Sequence, residues 1–153
     1  AGYIGSWDDN GIRLLDLFYR GGETIRGFNR AGVGPRDTLT GDALGGSTFW
    51  ATTAEVRFPI PYVSEDLGMG LAAFVDAGSV FGAGEIAKAH DACGGVVGGS
   101  VCLADSSSVR VSAGVSLLWN SPLGPLRLDI GKALVKESYD KEQLVRFGAS
   151  TKF

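Results

Sequence analysis

Apolar and polar positions alternate with period two from Ser47 onward, in five blocks. In 47–59, Trp50, Thr52, Ala54, Val56 and Phe58 share one face, and Phe49, Ala51, Thr53, Glu55 and Arg57 the other. In 70–81, Leu71, Ala73, Val75, Ala77, Ser79 and Phe81 oppose Ala72, Phe74, Asp76, Gly78 and Val80. The clearest block, 109–120, sets Val109, Val111, Ala113, Val115, Leu117 and Trp119 against Arg110, Ser112, Gly114, Ser116, Leu118 and Asn120. Block 125–134 places Leu126, Leu128 and Ile130 against Arg127, Asp129 and Gly131. The last, 143–153, has Val145, Phe147, Ala149 and Phe153 on one side, and Arg146, Gly148, Ser150 and Lys152 on the other. Five strands are predicted, with residues 1–7 reading as the tail of a sixth and no convincing helix.

The connections alternate in length. Ser64-Glu65-Asp66 and Ser121-Pro122-Leu123-Gly124-Pro125 mark short turns, whereas 8–46 and 83–108 are long. Short turns on one rim and long loops on the other is the pattern of an outer-membrane barrel. Its apolar faces would meet lipid, Trp50 and Trp119 would sit in interfacial girdles, and a polar face would line a wet lumen. A soluble sandwich also alternates, so composition and periodicity leave both architectures open.

Loop 8–46 carries Gly21-Gly22-Glu23-Thr24-Ile25-Arg26-Gly27-Phe28 and then Gly34-Pro35-Arg36-Asp37. Ile25 and Phe28 have no place in a solvated loop. The flanking glycines let the backbone fold tightly and aim these side chains inward. A buried arginine stays charged and must meet carboxylates. The acids facing a lumen are Glu55, Asp76 and Asp129, and the first two lie on neighbouring strands of one hairpin. The loop folding back would set Arg26 between them; the competing reading pairs Glu55 with Arg57 or Arg110 along the wall.

Composition narrows the chemistry. Twenty-four glycines in 153 residues are about twice the usual share of roughly 7% and suit loops and bending strands. The net charge of −3, with scattered cations, gives no nucleic-acid footprint. No apolar run approaches the roughly 20 residues of a membrane helix. The single histidine, His90, lies in a glycine-rich loop with no nucleophile or acid arranged around it, so neither a catalytic set nor a metal site is expected. Gly94-Gly95 and Gly98-Gly99 lack a following Lys-Ser/Thr and make no phosphate loop. Cys93 and Cys102 are candidates for a local disulfide in an oxidising compartment. A start at Ala1 without Met suggests a processed chain or part of a longer one.

Several stretches in order resemble one family: FYRGG, IRGF and GVGPRD, then LGGSTFWATTAEVRFPIP, GLAAFVDAGSVF and VRVSAGVSLLWNSPLGPLRLDIGKAL. Together with a terminal strand ending in Phe153, they resemble the BamA outer-membrane assembly factors over nearly the whole chain, apart from 82–108. The resemblance implies the C-terminal part of a sixteen-stranded antiparallel transmembrane barrel in the bacterial outer membrane. It implies a latch of Arg26, Gly27 and Phe28 on Glu55 and Asp76. It further implies a seam strand carrying Phe147, Gly148 and Phe153, where Gly148 would weaken packing and help the strand peel. The implied activity is insertion and folding of client barrels without ATP or cofactor. The implied partners are unfolded outer-membrane proteins, the bilayer and, through POTRA domains upstream, assembly lipoproteins. TamA-like and two-partner secretion transporters share a folded-in loop, but GPRD and SPLGPL favour BamA. A passive porin is the alternative of another class.

Overall fold

A computed structural model describes residues 1–5, 12–60, 67–83, 103–122 and 124–149. The strands are β1 (Gly2–Tyr3), β2 (Arg36–Asp37), β3 (Thr48–Pro59), β4 (Met69–Phe81), β5 (Leu103–Ala104), β6 (Arg110–Ser121), β7 (Gly124–Val135) and β8 (Val145–Ala149). Six of them form one sheet in the order β1-β3-β4-β6-β7-β8. Every pairing is antiparallel between successive sheet strands, a plain meander. Period two is therefore maintained across the sheet, and each face of one strand continues onto the next. One bulge interrupts it: Val111 pairs with Val135 but Ser112 with Ala133, leaving Leu134 as the extra residue.

Three features differ from the alternation. The long loop has structure of its own, a single 3-10 turn at Leu14–Asp16 and the strand β2, which pairs with β5 of the second long loop. Two-residue pairings carry no readable period. The ladder of the last strand begins at Val145 rather than at 143, because the Gln143 N–H donates to the Gly27 carbonyl at 3.1 Å instead. Third, the inner face is not uniformly wet. Ile25, Phe28, Val33, Val80 and Ala133 form a buried cluster between the loop and the wall, with Phe49 and Ala51 packed against it.

The outer face carries the large apolar side chains and leaves them uncovered. Val56 is 65% exposed, Val115 51% and Leu134 61%. Such a strip has no reason to exist in water. Trp119 pairs with Met69 and Trp50 with Ser79, ten residues further along β4 on the same face. At about 3.3 Å per residue that is about 33 Å along the strand. With a strand tilt of about 40° it becomes about 25 Å, the height of a barrel's apolar band. Replacing Val115 with Arg tests the assignment. On a lipid-facing wall near mid-height it costs about 2–4 kcal/mol and lowers the yield of heat-modifiable folded protein. On a water-facing strand the yield stays unchanged.

Candidate functional site

Antiparallel register assembles the wall side of the site. Thr53 pairs with Asp76 and Glu55 with Phe74, so Glu55, Phe74 and Asp76 form a triangle on one face of the β3–β4 hairpin. Phe74 pairs in turn with Gly114, and Gly114 with Gly131. These two glycines leave a floor without side chains, and the Phe74 ring lies across it. A Cβ on Gly131 would sit 3.0 Å from Phe74 Cζ and 3.1 Å from the Gly27 nitrogen. The wall is thus hollowed where the loop comes down.

The loop reaches this hollow by a closed turn. The Gly22 N–H donates to the Phe28 carbonyl at 3.0 Å and the Thr24 N–H to the Gly21 carbonyl at 3.0 Å. Gly27 has φ +86°, a left-handed conformation that side-chain-bearing residues rarely adopt. Its Cα faces the Gly131–Lys132 backbone so closely that a Cβ would stand 3.2 Å from it. On either side of this contact, Ile25 and Phe28 are buried in the apolar cluster and Arg26 meets the acids.

All three guanidinium nitrogens of Arg26 are used. Nε and Nη2 donate to the two oxygens of Asp76 at 2.7 Å each, and Nη1 donates to Glu55 Oε2 at 2.7 Å. The Arg26 backbone N–H adds a bond to Asp76 Oδ2 at 2.9 Å. The guanidinium also stacks over the Phe74 ring, 3.6 Å from its centroid. Asp76 is 0% exposed, so its charge depends on this one cation. A lysine ammonium could not make the paired contact with Asp76 and reach Glu55 as well.

Glu55 is shared more widely than either sequence reading had it. It accepts from Arg26, from Arg57 Nε at 2.9 Å and from Arg127 Nη2 at 2.6 Å, and not from Arg110. Arg127 continues along the wall to Asp129 through Nε at 2.6 Å, and Asp129 accepts from Ser116. Asp129, the third luminal acid, therefore belongs to the same network without touching the loop.

Arg127 and Arg36 have no role in the sequence expectations, and Arg110, expected as a wall partner of Glu55, is placed elsewhere. Arg127 could have been found, since it alternates onto the luminal face with Asp129. Arg36 braces the second half of the loop, donating to the Gly41 carbonyl at 2.8 Å and the Ala31 carbonyl at 2.7 Å. Burial pushes its guanidinium below the ordinary value, with Asp140 and Asp42 pulling it back up. Arg110 is fully buried against Asp140 and Tyr139. Burial raises the Tyr139 phenol, while Arg110 lowers it.

At the last strand, Phe147 is 66% exposed on the outer face and Gly148 pairs with Arg127. A Cβ at Gly148 would find only the Arg127 carbonyl oxygen, at 3.9 Å, so its neighbours do not demand glycine there. The free edge of β8 has no partner among the described residues. Arg146 of β8 donates to Glu23 of the loop at 2.8 Å. His90, Cys93, Cys102 and Phe153 lie outside the described residues. Among the described residues no group of His, Cys, Asp and Glu is arranged to hold a metal ion.

Comparison with known proteins agrees along the full length. The chain is 36% identical over 153 residues to the outer membrane protein assembly factor BamA of Neorickettsia risticii, covering 100% of this chain and 19% of that protein. It is 30% identical to the BamA of Neisseria meningitidis serogroup B, over 93% of this chain and again 19% of the relative. The chain therefore spans about a fifth of the length of these curated relatives. In structure it is similar to a BamA from Haemophilus ducreyi lacking POTRA domains 1–3. That match has a TM-score of 0.73 and 25% identity, covering 95% of this chain and 29% of the other. The architecture is all-β, an antiparallel sheet of the transmembrane-barrel type. The family model of the Omp85 superfamily domain matches residues 1–153, and the chain belongs to that superfamily.

Proposed function

We propose that the protein to which this chain belongs inserts and folds β-barrel clients in the bacterial outer membrane, and that loop 8–46 is its internal latch. The observation that carries the reading is the seat of Arg26, a buried cation spread over two carboxylates and an aromatic ring of the luminal wall. The similarity to BamA assembly factors supports the same conclusion.

The chemistry is physical rather than enzymatic. An unpaired strand edge offers backbone donors and acceptors in register. In hydrocarbon those groups have no water to turn to, so a client strand that pairs with the edge gains more than it would in solution. β8 is the edge we assign to this task, pairing with β7 over only Val145–Ala149 among the described residues. Phe147 points outward, toward lipid in this reading, and Gly148 leaves the inner side of the strand open. Assembly lipoproteins would bind POTRA domains elsewhere in the protein.

The test uses the full-length protein reconstituted in liposomes without nucleotide, with a urea-unfolded outer-membrane barrel as client. The expected result is faster appearance of heat-resistant folded client than in empty liposomes. Equal rates in the two preparations overturn the proposal.

A further inference from the structure

Arg110 takes no part in the Arg26 network, yet it is among the most thoroughly buried side chains of the chain, at 0% exposure. It stands at the start of β6, where the wall ends and the connections begin. Its guanidinium gathers three segments. Nε donates to Asp140 Oδ2 at 3.0 Å and Nη2 to the Tyr139 hydroxyl at 3.0 Å, both on the β7–β8 connection. Nη1 donates to the Ser106 and Ser108 carbonyls at 2.8 Å each, on the segment leading into β6. Nη1 also reaches Ser79 Oγ on β4 at 3.4 Å. The Asp140 side chain is likewise 0% exposed. Its Oδ2 also accepts the Glu137 N–H at 2.8 Å, while Oδ1 has no hydrogen-bond partner among the described residues. Arg110 is thus the principal neutralising partner of a buried carboxylate.

The connection that Arg110 fastens is the one on which the latch loop rests. Lys141, next to Asp140, accepts the Asn29 N–H at 2.8 Å and donates to the Gly32 carbonyl at 3.0 Å. Gln143 donates to the Gly27 carbonyl at 3.1 Å, and Phe28 bridges to Glu142. Two residues further on, the same connection becomes β8.

We propose that Arg110 is a positioning residue for the latch. By fixing Tyr139 and Asp140 it holds the 136–144 connection as a shelf, and the shelf holds Gly27–Gly32 of the loop and the extracellular end of β8 in one arrangement. The loop is then fastened twice, by Arg26 to the wall and through Arg110 to the shelf. This rests on the latch reading above, and the experiment separates the two.

The reporter is Val33→Cys, a small change at a residue only 3% exposed and adjacent to the shelf contact. It is placed in the full-length protein with Cys93 and Cys102 replaced by Ser. Alkylation by a membrane-impermeant maleimide is followed in outer-membrane fractions, with Ala73→Cys on the lipid-facing side as the control for general unfolding. Arg110→Met and Asp140→Asn are expected to speed labelling at position 33 about tenfold or more, the response of a locally opened segment. Tyr139→Phe, which removes one hydroxyl, is expected to speed it about threefold, and labelling at position 73 stays low throughout. Unchanged labelling at position 33 in Tyr139→Phe and Asp140→Asn overturns the proposal, even where Arg110→Met fails to assemble. Arg26→Ala without effect on labelling, beside a large effect of Asp140→Asn, removes the latch reading and leaves the shelf. The reverse pattern removes the shelf alone.

Discussion

Arg26→Ala is expected to unseat the loop in a barrel that still forms. The substitution leaves Asp76 buried with no cation and strips Glu55 of one of three. Breaking a buried pair from one side costs about 3–5 kcal/mol. That is on the order of a hundredfold or more in the ratio of seated to unseated loop. The expected signs are rapid proteinase K cleavage within 20–46 from the cell surface and a marked loss of client assembly. Arg26→Lys fares nearly as badly, since one ammonium cannot reproduce the paired contact with Asp76. Asp76→Asn is milder, because it removes the stranded charge and keeps an oxygen for the guanidinium. An intact, protease-resistant loop in Arg26→Ala would falsify the latch.

Gly27→Val is expected to have a comparable effect with every ionic partner left in place. A β-branched residue at φ +86° is a backbone outlier. Its first side-chain carbon would stand 3.2 Å from the carbonyl carbons of Gly131 and Lys132, and neither can move without breaking the β6–β7 ladder. Strain of about 1–3 kcal/mol adds to overpacking of about 1–3 kcal/mol. The control is Gly148→Val, where there is open space, and its stability should change by about 0.5 kcal/mol or less. Equal behaviour of the two variants in the protease assay would mean that the tight fit over Gly131 does not matter.

How much of this is legible in the sequence follows from what alternation encodes. Period two assigns a face, so Glu55, Asp76 and Asp129 are readable as luminal and Val56, Val75 and Val115 as outer. Glycines around an arginine and two apolar residues mark a loop that must pack somewhere. Alternation does not encode register, so the position of Phe74 opposite Glu55 was hidden, and with it the ring beneath the guanidinium. Nor does it reach across connections. Arg110 and Asp140 are thirty residues apart, the one opening an alternating strand and the other on a connection without periodicity, and only the fold brings them together. The burial of Ile25 and Phe28 is legible from their glycine-flanked stretch, but their packing with Val33, Val80 and Ala133 is not, because a loop's destination is a tertiary matter.

The order of the segments along the chain sets the tempo of maturation. The loop emerges before the strands that receive it, and Arg26 waits for acids 29 and 50 residues downstream and for a shelf further still. The seat exists only once β3 and β4 have paired, because their register is what brings Glu55, Phe74 and Asp76 together. A newly made molecule should therefore pass through a stage with its strands zipped and its loop still at large, vulnerable to envelope proteases until docking is complete.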